Sequence, residues 1–310
     1  SYGVTEVTSL SFAGTKVVNF DFDASSKALS LDINDLASSI DAKTLVIDAL
    51  AGENTLSLVD SITVCDFTIA TKDEYVSFMI AASTAVYPAI SPKKHGVLTA
   101  DIDLGGDNLQ LLYCGDSYPN RNINMNLDGN GHSISNVSAF KHGIWTFLMA
   151  DASSPAIIRN ISLINFFKPS NAVGSTGIMS NGWSNVILEN VYFEGHNDYG
   201  HTNSGGFLGD GSGCTGITFK NCVINTSVLG TSMGALAPNK KGITVDKTYV
   251  ICPNALGLYN AGGAAGDVPY ADAAAFFDAN VQLGGSFEQK ADGLYFYGKK
   301  VLAVPAVVEE

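Results

Sequence analysis

Groups able to do chemistry are densest in one short run, Glu194-Gly-His-Asn-Asp-Tyr-Gly-His201. Glu194 and Asp198 supply carboxylates, His196 and His201 imidazoles, and Tyr199 a phenol. Groups of these types can exchange protons or hold a metal, and loops on a rigid scaffold are where such work is usually placed. Two readings stand: an acid/base or metal site, or a solvated turn that is glycine-bracketed because it turns. The two histidines lie five positions apart in what reads as a loop, a spacing that fixes no metal geometry. Asp101, Asp103 and Asp107 form a second acidic run. They offer oxygens to calcium, a hard cation that gathers several, but a strand with acidic outward positions has the same pattern. A third set is aromatic. Trp183, Tyr192, Tyr199 and Tyr249 form a candidate ligand-binding platform on which sugar rings could stack, unless loops cover them.

Composition narrows what these groups can serve. Net charge is −13, and only two of the 17 basic residues are arginines, Arg121 and Arg159. Without a basic face there is nothing to neutralise phosphates, so nucleic acid is excluded as a partner. No apolar run approaches the roughly 18 residues of a membrane span, and no leader precedes Ser1. A leader or lipid anchor is expected to have been removed. Five cysteines, an odd number with no CxxC pair, argue against a zinc site and against a dense disulfide framework. At least one is unpaired within the chain.

The elements that must position these groups fall into two domains. Residues 1–66 alternate apolar and polar positions in short runs, such as Thr8–Phe12, Val17–Phe22 and Ala28–Ile33, which predicts a small β-sandwich. Thr71-Lys-Asp-Glu74 is a capping box ahead of Tyr75, Phe78, Met79 and Ala82, and so starts a helix at about Lys72, the helical N-cap (about 71–83) of a second domain over 67–310. Coils then repeat over about 98–254. The segments beginning Ser133, Ile157, Ile187, Thr218 and Thr244 share the pattern apolar, variable, Asn, apolar, variable, apolar. Its Asn column is Asn136, Asn160, Asn190 and Asn221, with Lys247 in the fifth place. Unequal periods with strict columns fit a coiled strand path whose loops vary freely. Aligned in this way, Ile134, Ile158, Leu188, Phe219 and Val245 form one inward stack, Val137, Ile161, Val191, Cys222 and Thr248 a second, and Ala139, Leu163, Phe193, Ile224 and Val250 a third. Alternation breaks at each Asn, so the chain bends there, and stacked side-chain amides at that bend predict a hydrogen-bonded ladder. The repeat fades after about Pro253, and 255–310 is expected to cap the open end of the coil.

Asp128-Gly-Asn-Gly-His-Ser-Ile-Ser-Asn136 and Gly205-Gly-Phe-Leu-Gly-Asp-Gly-Ser-Gly213 resemble the GLUG-type repeats of bacterial surface proteins. The Thr71 helix, the Asp101–Gly106 strand and the Asn ladder are arranged as in pectate-lyase-like right-handed parallel β-helices. The resemblance implies an all-β, right-handed parallel β-helix and spans roughly residues 67–255. It further implies a non-catalytic, adhesin-like module, secreted or on the cell surface and so extracellular, that binds polysaccharide, a host or cell-surface glycan, or a protein. A different class remains open beside it, a polysaccharide lyase or glycoside hydrolase. A lyase needs a basic residue beside a calcium-binding acidic cluster on one face; Arg159 and Lys220 share their column with Glu189 and Asp246, which is the charge pattern of a solvated face. A hydrolase needs two carboxylates at a set separation, and no clear pair is present.

Overall fold

The computed structural model describes residues 3–31, 36–86, 89–107, 121–138, 143–145, 147–170, 177–179, 182–199, 205–209, 214–229, 234–238, 242–255, 257–259 and 269–305. Its chain divides into two compact units, Ser1–Asp66 and Phe67–Glu310.

In the first unit, β1 (Glu6–Phe12), β2 (Thr15–Lys16), β5 (Lys43–Ala51) and β6 (Asn54–Ile62) form an antiparallel sheet in the order β2-β1-β5-β6. Strands β3 (Phe20–Asp23) and β4 (Ala28–Leu31) pair as a hairpin. The inward side chains Leu10, Phe12, Val17, Leu36, Leu45 and Val64 close on a shared core. Strands β5 and β6 are the arms of one long hairpin, turned at Gly52 with φ of 64°.

The second unit is a parallel β-solenoid. It opens with β7 (Phe67–Ile69) and α1 (Lys72–Ala82), where Thr71 and Glu74 form the expected reciprocal cap. Tyr75, Phe78, Met79 and Ala82 are buried against the first rungs. The strands that follow are β8 (Ala85–Val86), β9 (Lys94–Leu98), β10 (Ile102–Asp103), β11 (Arg121–Asn122), β12 (Met125–Asp128), β13 (Ser133–Ser138), β14 (Phe147–Met149), β15 (Ala156–Lys168) and β16 (Gly182–Asn197). Next come β17 (Thr215–Lys220), β18 (Val223–Val228), β19 (Gly234–Ala237), β20 (Ile243–Asp246), β21 (Tyr249–Ile251) and β22 (Gly257–Tyr259). One parallel face runs β7-β9-β12-β15-β16-β17-β20. A second runs β10-β13-β15-β16-β18-β21. Strands β15 and β16 are long enough to bend and serve both faces.

Two inward stacks run through the bundle. Leu127, Ile158, Leu188, Phe219 and Val245 are in register on the first face. Ile102, Ile134, Leu163, Phe193, Ile224 and Val250 are in register on the second. Ile134 thus belongs to the second face, with Leu127 in the place expected for it, and Val137 pairs with Phe166. Ala139 lies outside the described residues. Strand β12 ends at the Asp128-Gly-Asn-Gly turn, so it is Asp128, and not Asn136, that begins the bend column.

Two ladders result where one was expected. In the first, Asn160 donates from Nδ2 to Asp128 Oδ1 at 3.1 Å, Asn190 to Asn160 Oδ1 at 3.1 Å, and Asn221 to Asn190 Oδ1 at 2.7 Å. In the second, Asn136 donates to Asp103 at 2.8 Å and Asn165 to Asn136 at 2.6 Å. All five asparagines are left-handed, with φ of 50–59°, a conformation asparagine tolerates better than other side-chain-bearing residues. Every rung donates backward, so the first rung need only accept, and an aspartate fills that place in both ladders. Lys247 keeps the left-handed backbone, with φ of 45°. The Asn221 amide is met by the backbone of Gly284, through Nδ2 to O at 2.6 Å and N to Oδ1 at 2.9 Å.

The described part of the C-terminal segment lies along the flank of the stack. After a bridge between Ile251 and Tyr270 come α2 (Ala273–Asp278) and an antiparallel sheet of β23 (Phe287–Lys290), β24 (Gly293–Phe296) and β25 (Lys299–Ala303). Phe276, Phe287, Leu294 and Phe296 pack on Tyr192, Val223 and Ile251. Farther along, Lys299 pairs with Asp101 at 2.6 Å. The outward apolar column of the second face is what this arm buries, at about 1.5–3 kcal/mol for each large side chain.

Candidate functional site

Parallel, in-register rungs place equivalent residues over one another at about 4.8 Å. On the outer side of the second face this aligns Ser138, Phe167, His196 and Ser227 in one column. Glu194 and Asn225 stand side by side in the next. Register alone would not have put Phe167 there. Strand β15 carries one extra residue between Leu163 and Phe166, at the left-handed Asn165, and this bulge shifts Phe167 onto His196.

The columns floor a trough along the stacking axis. One depression of about 610 Å³ is lined by Gly105, Gly106, Asn136, Val137, Ser138, Asn165 and Phe167. Another of about 370 Å³ is lined by Asn165, Phe166, Glu194, Gly195, His196, Asn225, Thr226, Ser227 and Pro253. They share Asn165. Amides, hydroxyls, two phenylalanines, one imidazole and one carboxylate line them, and among the described residues neither contains Lys or Arg.

His196 is held from three directions. Its Nε2 lies 2.5 Å from Asp198 Oδ1, its Nδ1 bonds Ser227 Oγ, and its ring is parallel to that of Phe167, with centroids 5.9 Å apart and planes 4° apart. Asp198 is held in turn by the strand end. Asn197 is buried, donates to Gly205 O at 2.9 Å and accepts from Tyr199 N at 2.9 Å, while Asp198 N donates to Lys168 O at 2.8 Å. The Lys168 side chain is itself wholly buried, with Nζ 5.2 Å from the Tyr199 ring centroid. Burial pulls its pKa down to about 7, because a low-dielectric surrounding disfavours the ammonium.

Comparison with family models, curated proteins and solved structures gave no significant match.

Several expected positions move. Glu194 and His196 belong to strand β16 and not to a loop, and they line the trough with Asp198 beside them; His201 lies outside the described residues. The expected aromatic platform is not formed. Trp183 is buried in the core, donating to Trp145 O at 2.8 Å. Tyr192 is buried beneath the C-terminal arm, donating to Glu194 Oε2 at 3.2 Å, and burial raises its phenol pKa. Tyr249 packs against Tyr270 and Phe276 under the same arm. Tyr199 is half-buried over Lys168. The ring that does face the trough, Phe167, and the hydroxyl of Ser227 were missed, since the bulge hides their shared column from a sequence alignment. The three aspartates do not gather: Asp101 binds Lys299 and Ser133 N, Asp103 binds Asn136 and Gly105 N, and Asp107 pairs with Lys72. Among the described residues no group of three potential metal ligands occurs, so the calcium reading has no site in them.

Proposed function

We infer that this chain is an extracellular or surface-displayed β-solenoid of the GLUG-repeat, pectate-lyase-like kind, and that it binds a linear glycan in the trough over its second face. One observation carries the reading: the lining of the trough follows the stacking axis over five successive rungs, from the Gly105-Gly106 turn after β10 through β13, β15 and β16 to β18, about 20 Å at 4.8 Å per step. A polymer with a regular repeat meets a regular series of side chains there. Amides and hydroxyls suit sugar hydroxyls, and Phe167 offers an apolar surface to a ring. With no Lys or Arg among the described residues of its lining and −13 on the chain, the trough favours a neutral glycan over a polyuronate. A lyase or glycosidase is less well supported, because Glu194 bonds Tyr192 while Asp198 is committed to His196.

Calorimetry with neutral hexasaccharides (cello-, xylo-, manno- and chito-oligomers) and with polygalacturonate tests this. The expected result is binding of at least one neutral oligomer, tighter than to its dimer, and at least about tenfold weaker in Phe167→Ala. Absence of binding across the panel, or full affinity in Phe167→Ala, overturns it.

A further inference from the structure

The floor of the trough contains an arrangement that binding alone does not require. Ser227, His196 and Asp198 form a linear relay: hydroxyl to imidazole Nδ1, imidazole Nε2 to carboxylate at 2.5 Å. Asp198 accepts only, so the ring proton resides on Nε2 and the Nδ1 lone pair faces Ser227. That is the tautomer in which an imidazole can take a proton from a serine. Such triads are recognised by geometry and roles, not by chain order or fold. Here the order is His, Asp, Ser, with all three placed by neighbouring rungs and by the Asn197 turn. Ser227 and His196 both line the trough, so the nucleophile is open to a ligand lying in it.

We propose that Ser227, His196 and Asp198 hydrolyse acyl esters carried by the glycan that occupies the trough, trimming its substituents while leaving its backbone intact. This rests on the glycan-binding reading for its substrate but not for its chemistry. Ser227 Oγ bonds to the acyl carbonyl carbon as His196 Nδ1 takes the hydroxyl proton. Collapse of the tetrahedral intermediate breaks the bond to the sugar oxygen, which leaves with that proton as a free hydroxyl. Water then gives a proton to His196 and adds to the acyl-serine, the carboxylic acid departs, and the proton returns to Ser227. Ester and water become alcohol and acid, with no other co-reactant. Asp198 is a positioning residue, acting through His196.

The test uses a fluorophosphonate probe and p-nitrophenyl acetate, neither of which needs glycan binding. Expected results are covalent labelling mapped to Ser227, with fluoride displaced, and acetate release that is lost in Ser227→Ala and lowered about 100-fold or more in His196→Ala. Asp198→Asn should lower kcat at unchanged KM, a split that a merely structural role would not give. Circular dichroism melts confirm that each variant folds. Absence of labelling at Ser227 in folded protein, or wild-type acetate release from Ser227→Ala, overturns the proposal. If the wild-type protein still binds a neutral hexasaccharide under that outcome, the triad fails and the glycan reading stands; if labelling succeeds without hexasaccharide binding, the reverse holds.

Discussion

Asn221 donates from Nδ2 to Asn190 Oδ1 at 2.7 Å, and Asn190 repeats the same bond to Asn160 one rung farther back. Asn190 is therefore both donor and acceptor in the middle of the ladder. Asn190→Ala should cost about 1–3 kcal/mol for the partners left unpaired, plus roughly 1–2 kcal/mol for holding alanine at φ of 53°. Asn190→Gly loses the amide but not the backbone fit, so it should be milder by that second amount. Glu189→Ala, next door on the solvent side, should stay within about 0.5 kcal/mol. Urea melts of the three variants separate the terms; equal midpoints would refute the ladder's contribution.

Gly206 lies where two rungs nearly touch. A Cβ built there would stand 2.3 Å from the Ala235 carbonyl oxygen and 2.8 Å from Thr226 Cγ2. Backbone on the facing rung cannot yield without disturbing its own ladder. Gly206→Ala should destabilise by about 1–3 kcal/mol or more, whereas alanine at Gly284, with only contacts of 3.7 Å and beyond, should cost much less. Thermal melts of the two proteins give the comparison.

Cys222 is wholly buried and unpaired, with its Sγ 3.2 Å from Lys220 O. Burial pushes its thiol up to about 12. At pH 8 roughly one molecule in ten thousand would carry the thiolate. A maleimide should leave Cys222 unmodified in native protein and label it fully in denaturant, as peptide mapping would show; rapid native labelling would contradict the buried stack.

Lys168 makes stability depend on pH. Its pKa is about 7 in the folded protein, against an ordinary value near 10.4. Between those values the unfolded chain binds more protons than the folded one, so stability rises as pH rises through this window. Below pH 7 the cost of burying the ammonium is fully present, offset in part by the Tyr199 ring. Lys168→Met should therefore stabilise by about 1–4 kcal/mol at pH 6, and the gain should shrink towards pH 10. A gain that is the same at both pH values would rule out the titration of Lys168 as its source.

Much of this protein was legible in its sequence because a coiled path repeats its local physics on every rung. The Thr71-to-Glu74 cap, the inward apolar columns of Ile158, Leu188 and Phe219, and the bend at Asn160, Asn190 and Asn221 all follow from near-neighbour rules: who can cap, who can pack, who can sit at positive φ. What those rules do not carry is register. The coil ending at Asp128 and the bulge at Asn165 each shift the count by residues that have no apolar signature, and in a strand a one-residue slip exchanges the two faces. Asn136 therefore stands in a different ladder from the one its sequence pattern predicts, and Phe167 reaches His196 with no sequence signal. Nor can a sequence say which surfaces its ends will cover; Tyr192 and Tyr249 have the chemistry of a platform and became the seat of the C-terminal arm because that arm had its own apolar face to bury. The meeting of His196, Asp198 and Ser227 is of the same kind. Ser227, 31 positions from His196 and 29 from Asp198, became their neighbour because a parallel stack brings each coil back to the same line, and only the completed stack fixes which residues share it.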